Sequence, residues 1–347
     1  MSNYRKQDKG GNLFSAIEHQ QAVAKREIGI LKLRDIIDWE SFRSLLEELS
    51  GYAGRDWSKG GQPPFDPVFM LKVLILQKYH GLSDDATEVH IGDRLSFMNF
   101  LGLQLGDEIP DAKTIWAFKE RIEENGRDGS RRLFEAFTAI LERQNLIARE
   151  GSIIDASFTE APRQRNTRSQ NKSIKEGERP EEFDVNESVR RQKDCDARWT
   201  KKNNQSYYGY KNHAKVDLKS KLIIRSETTS AEVHDSQVFK QLLDEKDEAV
   251  LTDSAYYSVE NEVYVLEVIH AQEYLMRKAN RNNPLSEEEI RTNHTISRMR
   301  VRVEHVFGRM AHMGADIYRS IGLKRATSHN NLCNLTYNMD RYALLAG

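Results

Sequence analysis

Three acidic residues stand where ordinary folding gives them little to do. Asp155 ends the apolar pair Ile153-Ile154 in Gly151-Ser-Ile-Ile-Asp-Ala-Ser-Phe158, a short buried-strand pattern, and strands disfavour Asp. Asp253 ends a second such run, Ala249-Val-Leu-Thr-Asp253, with Ser254-Ala255-Tyr256 following as a turn. Carboxylates on neighbouring core strands would raise one another's pKa unless a cation lay between them. Glu304 is the third candidate, in the basic amphipathic stretch Arg298-Met-Arg-Val-Arg-Val-Glu-His-Val-Phe307. Three such groups carry about −3, enough to hold one or two Mg²⁺ ions that retain waters and accept phosphate oxygens. That chemistry is in-line attack on a phosphodiester, with nearby arginines neutralising the equatorial oxygens. Blander duties also fit: Asp253 as a turn former and Glu304 as a surface ion-pair partner. Asp155 has no obvious structural duty.

The elements that must position these residues follow from the pattern. His213 to Leu218 and Leu222 to Ser230 form a hairpin around Lys219-Ser220. A helix over about 235–243 leads to the Asp253 strand, another spans about 259–268, and Tyr274-Leu-Met-Arg277 makes a fifth strand. The sum is a mixed five-stranded sheet flanked by helices, an α/β fold. A long basic helix over about 294–312 carries Glu304, and a last helix runs from about 330 to 345. Residues 159–206 are polar and almost free of large aliphatics, which predicts a mobile insertion or a segment that orders on a partner.

Ahead of this catalytic half, residues 1–148 read as all-α. A polar leader and one or two helices within Leu31 to Leu49 give way to the Gly/Pro-rich Lys59-Gly-Gly-Gln-Pro-Pro64. Asp66 caps a helix with Pro67 at its first position, and Val68 to Tyr79 is apolar almost all round. Ser83 starts a helix running toward Leu101. Asp111 caps one carrying Ile115, Phe118 and Ile122 on one face, and Leu133, Phe134, Phe137, Ile140 and Leu141 form a stripe on the next. The division expected is therefore 1–148, helical, and 149–347, catalytic.

Composition narrows the class. The 347 residues carry a net charge of −1, yet the charges are segregated. Arg190 to Lys215 holds eight Lys or Arg against two Asp, with Trp199, Tyr207, Tyr208 and Tyr210 among them. Ser297 to Arg325 holds seven against Glu304 and Asp316. Basic stripes beside aromatics are a footprint of phosphate contact. Lys211, Arg298, Arg300 and Arg309 are the candidate DNA contacts. Cys195 and Cys333 are too few and too far apart for a disulfide framework. No run is long enough to cross a bilayer, and the start lacks a signal-peptide core, so a cytoplasmic protein is expected. No Gly-rich phosphate loop appears, so no nucleotide cofactor is expected, and the histidines are too scattered for a zinc site.

The ordered set Ile153-Ile-Asp-Ala-Ser157, Tyr208-Gly-Tyr-Lys-Asn-His213, Val250-Leu-Thr-Asp-Ser-Ala-Tyr256 and Arg300-Val-Arg-Val-Glu-His-Val-Phe-Gly308 resembles the DDE transposases of bacterial insertion sequences, in particular the insertion-sequence-five family. Phe65-Asp-Pro-Val-Phe-Met-Leu-Lys and Pro110-Asp-Ala-Lys-Thr-Ile-Trp-Ala-Phe extend the likeness into the helical region. The resemblance implies an RNase H-like catalytic domain with Asp155, Asp253 and Glu304 as catalytic metal ligands. It further implies Mg²⁺, with Mn²⁺ as a substitute, and cleavage at terminal inverted repeats of double-stranded DNA followed by joining to target DNA. A homodimer on DNA, close to the bacterial nucleoid, follows from the need to bring two ends together. Two departures stand out: where the family signature has Tyr three residues before the Arg and Lys seven after the Glu, this chain has Ser297 and Ala311. Arg309 or Arg298 is left to cover the Lys duty. The rivals are an RNase H-like nuclease that cuts without joining and a catalytically inactive DNA-binding derivative.

Overall fold

The computed structural model describes residues 15–25, 29–52, 60, 62–202, 204–279 and 284–346. Residues 1–14, where the polar leader was expected, and residues 59 and 61 of the Gly/Pro-rich stretch lie outside them. Eight helices come first: α1 (Ser15–Ala24), α2 (Gly29–Ile36), α3 (Arg43–Ser50), α4 (Pro67–Tyr79), α5 (Asp84–Asp93), α6 (Leu95–Leu101), α7 (Ala112–Glu123) and α8 (Gly129–Arg143). Their starts follow the local chemistry. Asp66 Oδ1 accepts from Val68 N (2.8 Å) and Phe69 N (3.1 Å), Ser83 Oγ from Ala86 N (3.1 Å), and Asp111 Oδ1 from Thr114 N (2.7 Å). The helix expected to run unbroken from Ser83 to Leu101 is instead two, because Arg94 adopts an extended conformation between α5 and α6.

The second half contains β1 (Ser152–Glu160), α9 (Arg168–Lys175), α10 (Glu187–Gln192), β2 (Arg198–Lys202), β3 (Gln205–Asp217), β4 (Ile223–Ser230), α11 (Asp235–Leu242), β5 (Ala249–Thr252), α12 (Val259–Val263, continuing as a π-helix over Tyr264–Ile269), β6 (Gln272–Leu275), α13 (Glu287–His312) and α14 (Leu323–Ala346). The sheet is mixed. β1, β5 and β6 run parallel, β3 lies antiparallel to β1, and β4 and β2 pair with β3. It has six strands where five were expected, the addition being β2.

That strand belongs to the polar region 159–206, expected to be mobile or to order on a partner; it carries regular secondary structure here. Residues 159–206 hold α9, α10, β2 and parts of β1 and β3. A Thr167/Gln170 capping box opens α9. Asp194, 5% exposed, then gathers the segment: it accepts from the backbone N–H of Asp196 and Ala197, from Tyr210 Oη (2.7 Å) and from Gly322 N (3.1 Å). Order here comes from a buried, fully used carboxylate together with a few scattered apolar anchors such as Ile174 and Phe183, too sparse to give a hydropathy pattern.

α14 ties the halves together. It packs on α2, α4 and α8 on one side and on β3 and β4 on the other. Asn330, Asn334 and Asn338, spaced one turn apart and buried, face the sheet. Asn338 both donates to Ile223 O (2.7 Å) and accepts from Ile223 N (2.9 Å), Asn334 bonds Asn212, and Asn330 bonds Thr159 and Thr228. One apolar core runs from Ile30 and Leu46 through Leu74 and Phe137 to Ile153, Val216, Leu251 and Val306.

Candidate active site

Strand register brings the two aspartates side by side. β1 and β5 pair in parallel as Ile153↔Leu251 and Ile154↔Thr252, so the next residues along are Asp155 and Asp253. Side chains alternate along a strand. Ile153 and Leu251 enter the core shared with α13 and α14, while Ile154 and Val250 enter a separate core under α11 and α12. Asp155 therefore faces α13. Asp253, just past β5, turns the same way, because a single guanidinium lies near both: Arg300 Nη2 is 2.6 Å from Asp155 Oδ2 and 4.0 Å from Asp253 Oδ2. Asp253 also accepts from Ala255 N (2.9 Å), so it forms the turn as well.

The electrostatics are strained in a consistent direction. Asp155 is 9% exposed, and burial pushes its carboxyl above the ordinary range, opposed by Arg300 and assisted by the neighbouring charge of Asp253. Around the pair, two buried polar atoms have no hydrogen-bond partner: Arg300 Nε and Tyr256 Oη. Burial raises the Tyr256 phenol well above its usual range, with Asp235, Asp155 and Asp253 adding to the effect.

The other expected site residues are placed as follows. Glu304 lies one helical turn beyond Arg300 on α13 and is exposed. Among the described residues, no three acidic, His or Cys side chains are grouped closely enough to hold an ion. Arg298 is exposed on the same helix. Arg309 pairs with Asp340 (2.9 Å) and covers the Tyr79 ring. Lys211 does not join them: it points to the opposite face of the sheet and is committed to Asp235 Oδ1 (2.7 Å) and Val233 O (2.8 Å). His213 lies beside it with Nδ1 3.9 Å from Asp235 Oδ1, and burial depresses its pKa to about 4. Asp235, the first residue of α11, is the carboxylate that holds both in place.

A divalent ion fits in part. The Arg300 guanidinium sits where a cation is needed, and two carboxylates converge on it; Glu304 does not converge with them. An acidic pair beside the ends of parallel strands, faced by a basic helix on a mixed α/β sheet, is compatible with metal-assisted chemistry on phosphodiesters.

Comparison with known families agrees. Residues 147–339, more than half of the chain, match the family described as Transposase DDE domain, and residues 19–121 match the one described as Transposase domain (DUF772). The chain belongs to the DDE transposases, enzymes of the polynucleotidyl-transferase type. The family implies an RNase H-like fold and DNA as the partner, and its members generally use divalent metal ions. No solved structure matches the chain significantly. No helix among the described residues is long and apolar enough to cross a membrane.

Proposed function

We propose that the protein cuts DNA at terminal inverted repeats and joins the freed ends to target DNA by transesterification, as a transposase of the insertion-sequence-five type. The observation that carries this reading is the convergence of Asp155 and Asp253 on one cationic group. Asp155 and Asp253 would hold Mg²⁺, or Mn²⁺ in its place, and Glu304 would complete the set. Held there, the ion would supply activation of an oxygen nucleophile and stabilisation of the departing oxygen. Arg300, freed from the aspartates, is positioned to neutralise phosphate oxygens, while Arg298 extends the contact along the exposed side of α13. Glu304 is exposed on α13 and would have to approach the aspartates when metal and DNA bind. The helical region, α1 to α8, serves DNA-end binding or pairing of two subunits, and a homodimer on DNA is the working unit. A second reading, a DNA-holding protein without cleavage, draws on the exposure of Glu304.

The test is cleavage and joining of a donor carrying the inverted repeats that flank the gene. Wild-type protein with Mg²⁺ gives strand-transfer products, while Asp155→Asn retains DNA and yields none. Equal activity in the variant would remove this site from the chemistry, and cleavage without joining would favour a nuclease.

A further inference from the structure

The two aspartates that converge on Arg300 are held in place by different means. Asp155 lies within the sheet, where β1 pairs it with Ala214 of β3, so strand register fixes its backbone. Asp253 lies beyond the ladder. β5 ends at Thr252, the last residue paired with β1 and β6, and Asp253 has no strand neighbour among the described residues. A metal site tolerates little error in where its ligands stand, so something other than strand pairing must place this carboxylate.

The turn that follows does so. Asp253 O accepts from Tyr256 N (3.3 Å) and from Thr252 Oγ1 (3.1 Å), while Ala255 N donates to Asp253 Oδ1 (2.9 Å). With its far end loose, such a turn could pivot on the end of β5. It is anchored instead. Tyr256 is wholly buried in the core under α11 and α12, its ring 5.9 Å from that of Phe239 between centroids. The Tyr256 hydroxyl has no hydrogen-bond partner, so packing and the main chain locate the residue. The main-chain hold comes from Asn261 of α12, 4% exposed, whose Nδ2 donates to Tyr256 O (2.8 Å). A buried amide is costly unless its hydrogen bonds are made, and this one is spent on the turn that carries Asp253. The anchor sits in the core on the far side of the sheet from α13.

We infer that Asn261 is a positioning residue for metal binding: through the Tyr256 carbonyl it sets where the Asp253 carboxylate stands relative to that of Asp155. The inference rests on the metal-ligand role proposed for the two aspartates and adds to it a residue that touches neither of their carboxylates. Outer contacts of this kind commonly govern ion affinity about 10- to 100-fold.

The experiment titrates full-length protein with Mn²⁺ and follows the electron paramagnetic resonance signal of the free ion, with folding checked by circular dichroism. Wild type binds the ion and Asp155→Asn does not. Asn261→Ala raises the apparent Kd at least about 10-fold. Thr252→Val removes one donor to Asp253 O while keeping the side chain's shape, and raises Kd by a smaller factor. Ser258→Ala removes the cap of α12, where Ser258 Oγ accepts from Asn261 N (3.1 Å), but spares the Asn261 side chain; it weakens the same helix and leaves Kd unchanged. An unchanged Kd in folded Asn261→Ala, or an equal rise in Ser258→Ala, overturns the positioning role alone. Should Asn261→Ala fail to fold, an unchanged Kd in Thr252→Val overturns it. Wild-type protein that binds no more Mn²⁺ than Asp155→Asn overturns the metal role of the aspartates, and this inference with it.

Discussion

Two buried charge clusters occupy opposite faces of the same sheet, and they are finished to different degrees. Under α11, Lys215 is wholly buried and donates to Asp244 (2.9 Å) and Asp247 (2.6 Å). Asp247 also accepts from Ser152 Oγ and Asp244 N, and Asp244 from Arg149 and Lys246 N. Burial works against the Asp244 charge, but Lys215 and Arg149 outweigh it and hold that carboxyl well below the usual range. Under α13, by contrast, Asp155 is pushed up, and Arg300 Nε lacks a partner. A completed network fixes a structure; an incomplete one, at comparable burial, keeps capacity for something that arrives later.

The contrast can be broken at either end. Asp155→Asn is expected to abolish Mg²⁺-dependent cleavage while changing unfolding free energy by no more than about 1 kcal/mol, read by product gels and urea denaturation. Lys215→Met is expected to do the reverse. Leaving Asp247 buried and unpaired costs about 3–5 kcal/mol, visible as a large fall in the urea midpoint; a near-neutral result would mean that the completed network is dispensable. Arg300→Ala sharpens the difference. With its counter-charge gone, the aspartate pair should gain more thermal stability from Mg²⁺ than wild type does, and an equal or smaller gain would deny that Arg300 stands in for the ion.

Acidification sharpens it differently. His80 and His213 are both depressed to about 4 by burial, so the native state keeps them neutral. Stability is full above the unfolded histidine pKa of about 6.5 and is lost as pH falls from there toward 4, because the unfolded chain takes up protons first. Asp244, depressed in the native state, adds a further loss at lower pH, below the ordinary carboxylate range. Urea midpoints at pH 7, 6 and 5 should fall in sequence; a flat series would contradict the buried neutral histidines. The smallest effect belongs to the part-exposed Arg131–Glu227 pair (2.8 Å), whose removal by Arg131→Ala should cost about 1 kcal/mol or less.

Local chemistry was the legible part of this chain. Asp66, Ser83 and Asp111 announce their helices through spacing that any cap requires, and Asp155 was conspicuous because a strand gives Asp no reward. Relations between distant segments were not legible. The face on which Lys211 lies depends on β3 pairing Ala214 with Asp155, a register that no local pattern encodes. The secondary structure within the polar insertion was not legible, because contacts such as that between Asp194 and Tyr210, sixteen residues apart, leave no local pattern. Glu304 shows the limit within one element: sequence spacing puts it a turn from Arg300, but the way α13 lies across the sheet decides which of the two meets the aspartates.

The asparagine stripe on α14 carries a consequence for how the enzyme is made. The ribosome delivers this helix after every segment it clasps, so Ile223, Asn212 and Thr228 wait without their partners, and the helical half cannot be clamped to the sheet, until translation has passed Asn338. A chain that stops shortly before that point lacks the paired Asn338–Ile223 bonds that join α14 to the sheet.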